Sequence, residues 1–135
     1  NAYCQDNEIT WVDWAALSPD LIDHTAFLAK LRQRFSAFGE STFFSPETGE
    51  VEWLSPLGEP MRDEDWNRRD AACFAMVLKT LDKETDKTVR LATLFNRSRD
   101  AIPFTLIGDG WKPLGVDFGV PAWLPPRSVV FYIHR

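Results

Sequence analysis

The chain has 135 residues, 44% hydrophobic and 26% charged, with a net charge of −5. That length suits one domain, or one domain and a piece of another, of ordinary globular composition. Its Lys and Arg are scattered, which argues against nucleic acid, whose binding needs clustered cations to displace counterions. No run approaches the ~18 consecutive apolar residues of a membrane span. No charged segment followed by an apolar one marks an export signal. Cys4 and Cys73 stand apart from any Cys/His cluster and read as two reduced thiols of a cytoplasmic protein.

The chain opens without Met on Asn1 to Trp14, where amides, acids and aromatics are densely interleaved. Asp6, Asn7 and Asp13 can bond nearby backbone N–H groups, so residues 1–17 read as a loop of irregular turns. Ile9, Trp11 and Trp14 would anchor that loop on a hydrophobic surface, and the expectation is a segment that belongs to a longer polypeptide. A helix follows from Ser18 to Phe38. Ser18 is placed as N-cap, Pro19 opens the first turn, and Asp20 and Asp23 complement the helix dipole. Leu21, Leu28, Leu31, Phe35 and Phe38 draw one apolar stripe that needs a partner surface, and Gly39 is the stop.

From Glu40 the pattern changes to short apolar runs between turn residues. Thr42 to Ser45 and Val51 to Leu54, separated by Pro46-Glu47-Thr48-Gly49, predict a hairpin. Residues 60–70 read as a long polar loop carrying Trp66. Ala71 to Thr80 is almost wholly apolar and reads as a strand covered on both faces. Thr88 to Phe95 alternates as a half-buried strand. Ile102 to Leu106 does the same, with Pro103 placing it at a sheet edge. Trp111 to Phe118 is a weaker strand, Pro121 to Pro126 a stiff extended approach, and Ser128 to His134 a clear closing strand. About seven strands at intervals of about ten residues describe an antiparallel β-sandwich.

The residues offer little chemistry. Asp6, Glu8 and Asp13 could be imagined as an acid and a base, but loop acids more often cap turns or pair with Arg. Asp63-Glu64-Asp65 reads as a solvated face. His24 and His134 lack spaced companions for a metal, no serine sits in an elbow motif, and no Gly-rich phosphate loop implies a cofactor. Trp53, Phe74, Phe95, Phe104 and Phe131 fall on inward-looking positions. Trp66, Trp111 and Trp123 lie in or beside loops, where they would either stack on sugar or seal a seam with a neighbouring domain.

Asn1-Ala2-Tyr3-Cys4-Gln5-Asp6-Asn7-Glu8, followed by Trp11 and by Asp13-Trp14, resembles the segment after the last barrel strand in glycogen debranching enzymes of the isoamylase type, within the α-amylase-like glycoside hydrolases. The resemblance implies that residues 1–40 are the C-terminal end of a (β/α)8 barrel, a loop and its final helix, and that residues 41–135 are a C-terminal β-sandwich. Val51 to Leu54, the Trp66 segment and Pro126-Arg127-Ser128-Val129-Val130 resemble landmarks of that sandwich, while Gly108 to Pro125 looks compressed. The implied activity is retaining hydrolysis of α-1,6 branch linkages in glycogen or limit dextrin. Its carboxylates would lie upstream of Asn1, so this chain would hold no catalytic residue and be inactive alone. Neither cofactor nor metal is implied. The implied partners are the upstream catalytic barrel of the same polypeptide and branched α-glucan, without nucleic acid or membrane. Tyr3, Gln5, Asp6 and Asn7 would reach the substrate rim, because loops after barrel strands form the active face. Two other readings remain open: an α-glucan-binding module using Trp66, Trp111 or Trp123, and a free-standing Ig-like interaction domain.

Overall fold

The computed structural model describes residues 3–117 and 122–135, with Ala122 described by its backbone alone. Helix α1 (Pro19–Arg34) leads into β1 (Val51–Leu54) and a short helix α2 (Asp63–Asn67). Six further strands follow: β2 (Cys73–Asp82), β3 (Lys87–Asn96), β4 (Ile102–Phe104), β5 (Lys112–Leu114), β6 (Ala122–Leu124) and β7 (Ser128–His134). The large sheet has the order β1-β2-β3-β7-β5, β4 and β6 form a second sheet, and every pairing is antiparallel. The fold is mainly β and sandwich-like, as the turn spacing predicts.

β2 and β3 form the backbone of the large sheet, paired from Cys73↔Asn96 to Asp82↔Lys87. Alternate side chains point to opposite faces, so each strand feeds two cores. Ala75, Val77, Ala92, Leu94, Val130 and Tyr132 meet Phe104, Leu106, Trp111 and Leu124 from the side of the second sheet. On the other face, Val89, Leu91 and Ile133 receive Leu31 and Phe35 from the end of α1. Each of those two large side chains contributes about 1.5–3 kcal/mol by leaving water. β3 is therefore buried on both faces rather than half-buried, because the chain supplies its own cover at both surfaces.

The prolines sit where a missing donor costs least. Pro103 lies in the two-stranded sheet opposite Trp123, and Pro113 lies in β5 at the margin of the large sheet. The closing strand follows its alternation, with Phe131 and Ile133 opposite Thr93 and Leu91, and Val130 and Tyr132 opposite Leu94 and Ala92.

Other expectations change as well. Residues 42–45 form no strand. Ser45 instead accepts a hydrogen bond from Glu47 at the head of a 3-10 turn, Pro46–Thr48, that Gly49 closes at φ +70°, and β1 pairs with β2. Helix α1 stops at Arg34, because Phe35 is extended, fully buried and bridged to Asp82, and Ser36–Gly39 continues as a 3-10 turn. Trp66 lies on α2, not on a loop; the Asp65 carboxylate accepts the Arg62 N–H at 2.9 Å and stabilises that turn. The strand expected over Trp111 to Phe118 shortens to β5, ended by Gly115 at φ +95°, and the extended approach to β7 contains strand β6. Asn1, Ala2, Phe118 and Pro121 lie outside the described residues.

Candidate functional site

Three surfaces hold the residues of interest. The first is the opening loop, which is ordered by its own side chains. Asn7 Nδ2 donates to Gln5 Oε1 at 2.9 Å, and the Ile9 N–H donates to Asn7 Oδ1. Trp11 Nε1 donates to Asp6 Oδ1 at 2.6 Å, and Asp13 caps the 3-10 turn Trp14–Ala16 by accepting from Ala15 and Ala16. Gln5, Asp6 and Asn7 are thus brought together with Tyr3 on one short exposed segment, while Ile9, Trp11 and Trp14 remain open to solvent. The apolar residues expected to anchor the loop find no cover among the described residues. The first half of α1 behaves alike, with Leu21 and Ile22 exposed and Leu31 the buried residue of the helix.

The second surface continues the face that receives α1. Trp53, Phe74 and Phe95 stand on neighbouring strands there, and Trp66 from α2 lies over them. Ring centroids are 5.4 Å apart for Trp53–Trp66, 5.6 Å for Trp66–Phe74 and 4.9 Å for the stacked Phe74–Phe95 pair. This aromatic cluster is half-buried, and Val129 beside Phe95 is exposed. The other two candidate tryptophans lie elsewhere. Trp111 is 8% exposed, within the core between the sheets, with Nε1 donating to Ile107 O, whereas Trp123 on β6 is 58% exposed. The three do not share one platform.

The third surface is a cleft of about 370 Å³ at the margin of the sandwich, walled by the turn after β1, by α2 and by the approach to β2. Leu57, Met61 and Ile102 line it with apolar surface, and Arg62, Glu64 and Arg68 with charge. Its walls are tied down. The Ser55 N–H donates to Glu59 O, the Met61 N–H to Trp53 O and the Thr105 N–H to Pro56 O. Arg97 donates through Nε to Ala71 O and through Nη2 to Arg69 O. Sequence reasoning treats Asp63-Glu64-Asp65 as a solvated face and passes over this cleft. The legible signal is Asp63-Glu64-Asp65 itself, since three successive acids suit the first turn of a helix.

Electrostatics anchor α1 to the sheet. Arg34 grips the fully buried Asp82 with two hydrogen bonds, Nε to Oδ1 at 2.8 Å and Nη2 to Oδ2 at 2.7 Å, and Glu84 lies 3.1 Å from Nη1. Hydrogen bonding from Arg34 outweighs the opposing effect of burial and holds the Asp82 carboxyl below the usual carboxylate range. The free thiol of Cys73 is pushed up to about 11 by burial. Among the described residues no group of three or more His, Cys, Asp or Glu is placed to hold a metal ion, and no helix is long and apolar enough to cross a membrane.

The described residues thus define a mainly β, sandwich-like domain entered by one helix whose leading half is uncovered. No protein-family model matches the chain. Its sequence is similar to the glycogen operon protein GlgX homolog of Haemophilus influenzae, 34% identical over 113 residues, which are 84% of this chain and 16% of that protein. The glycogen debranching enzyme of an Enterobacter species is 30% identical over 141 aligned residues, taking in 100% of this chain and 20% of the enzyme. That of Cronobacter sakazakii is 45% identical over 67 residues, 50% of this chain and 10% of the enzyme. The chain belongs to the glycogen debranching enzyme family of the isoamylase type, and spans about a tenth to a fifth of the length of these relatives.

Proposed function

We propose that this chain is the C-terminal part of a cytoplasmic glycogen debranching enzyme. In this reading residues 1–40 complete the catalytic barrel and residues 41–135 form a sandwich that braces it. The observation that carries the proposal is the shared face of the large sheet. The surface that receives Leu31 and Phe35 of α1 runs on into the half-buried cluster of Trp53, Trp66, Phe74 and Phe95. Leu21, Ile22, Trp11 and Trp14 are uncovered as well, and in this reading these apolar surfaces are contacts for a preceding domain. Trp66 is then a seam residue.

The complete enzyme would hydrolyse α-1,6 branch linkages with retention, a carboxylate attacking the anomeric carbon while a protonated carboxylic acid assists the leaving group. Those acids belong to the barrel. Tyr3, Gln5, Asp6 and Asn7 would sit at the substrate rim, positioned by the loop's internal hydrogen bonds. The test is to assay the 135-residue chain and the complete enzyme on a branched limit dextrin. Release of linear maltooligosaccharides by the complete enzyme alone is expected; release by the short chain, or by neither, overturns the reading. Gln5→Ala and Asn7→Ala in the complete enzyme should raise KM for the dextrin severalfold, and unchanged kinetics would remove the rim role.

A further inference from the structure

The cleft bounded by the turn after β1 and by α2 lies off the aromatic face, and the proposed function does not use it. Its lining is mixed. Glu59, Glu64, Asp65 and Asp70 bring four carboxylates to it, and Arg62 and Arg68 two guanidinium groups. Part of that charge is already engaged. Arg68 pairs with Asp70 at 2.7 Å, and Asp65 accepts the Arg62 N–H. The side chains of Arg62, Glu59 and Glu64 stand exposed beside apolar Leu57, Met61 and Ile102. The Ser55 hydroxyl, which also lines the cleft, is buried without a hydrogen-bond partner.

The volume falls within the range of small-ligand sites, about 300–1,000 Å³. The chemistry selects among ligands. A strongly anionic ligand would meet unneutralised carboxylates, and a strongly cationic one would meet Arg62. A neutral polyhydroxylated chain suits both: carboxylates accept from hydroxyls, guanidinium donates to them, and the apolar side chains cover the C–H faces of the rings. The walls are already held by the Arg97 staples and by the hydrogen bonds of the turn, so little order has to be gained on binding.

We propose that this cleft is a glucan-holding site that takes a linear stretch of α-glucan between Arg62, Glu64 and Leu57. The inference rests on the reading of the chain as part of a debranching enzyme. It is tested on the complete enzyme by retardation in native gels containing glycogen. The variants are Arg62→Ala combined with Glu64→Gln, and Leu57→Ser alone, all at exposed positions where folding is not at risk. Losing two charge-assisted contacts should weaken retention about tenfold, and the Leu57 variant should weaken it less. Trp123→Ser, at an exposed position that does not line the cleft, should leave retention unchanged. Unaltered retention in both cleft variants, or loss of retention in the Trp123 variant alone, overturns the proposal. Debranching by the wild-type enzyme is scored separately. If it proceeds while the cleft variants bind as wild type, the cleft inference fails and the debranching reading stands.

Discussion

Asn96 shows how much of this fold hangs on single polar side chains. It ends β3 with its side chain buried, and the two hydrogens of its Nδ2 are shared among the carbonyls of Asp100, Leu124 and Pro125 at 2.9, 3.1 and 2.9 Å. Its Oδ1 accepts from the N–H and the hydroxyl of Ser98. One amide therefore joins the turn after β3 to the end of β6. Asn96→Ala should lower unfolding free energy by on the order of 3 kcal/mol in urea titrations. Asn96→Asp should cost more, because a carboxylate would face three carbonyls with nothing to donate. Asp82 adds a pH dependence of definite sign. Its folded pKa is depressed, so the Arg34 pair stabilises fully above the ordinary carboxylate range, near pH ~4, and that stability is lost as pH falls through the lower folded value. Asp82→Asn should remove about 3 kcal/mol at neutral pH and flatten the acid limb of a stability-versus-pH curve. The two thiols should also separate. In the native chain a thiol reagent should titrate exposed Cys4 quickly and buried Cys73 only after denaturation.

At the scale of elements, interior substitutions should follow burial. Phe104→Ala, at a fully buried position between the sheets, should cost about 3–5 kcal/mol by chemical denaturation. Gly58 tests backbone fit. At φ +80° a Cβ would stand 2.7 Å from Thr105 O and from Ile107 Cγ1, so Gly58→Ala should destabilise the turn that walls the cleft. The start of α1 was legible, since Ser18-Pro19-Asp20 is a local signal. Its end was not, because the terminator is a bridge from Phe35 to Asp82, far along the chain. The central strands were legible from apolar runs and alternation, and the edge positions from Pro103 and Pro113. The hairpin expected at residues 42–54 failed for a related reason: local turn chemistry marks where a chain bends, but β1 chose its partner by fitting Trp53 and Leu54 against Met76 and Ala75. Of the candidate site, the loop's Asx-type bonds could be read in advance. The placement of Trp66 over Trp53 and Phe74 could not, since it depends on two strands and a helix meeting in space.

For the whole molecule, the aromatic face is the decisive surface. Trp66 is 47% exposed in this chain. If a barrel covers it, tryptophan emission in the complete enzyme should be less quenched by acrylamide than in the isolated chain. Trp66→Ser should then lower the melting temperature of the complete enzyme by several degrees, about what 1–2 kcal/mol produces in a domain of this size. Equal quenching in the two forms would mean that the cluster faces solvent in both.

The ten-rung β2–β3 pairing, closed by the short turn at Asp86, bears on how the chain folds as well as on how it is held. Its contacts are close in sequence, whereas those of β1, β7 and α1 with it close long loops, so the hairpin has the lowest entropic barrier to forming first. Leu78→Ala, within the hairpin, should slow refolding in stopped-flow experiments. Asp82→Asn disrupts the late docking of α1 and should leave the refolding rate nearly unchanged while accelerating unfolding. The helix that leads the sequence would then be the last element to settle.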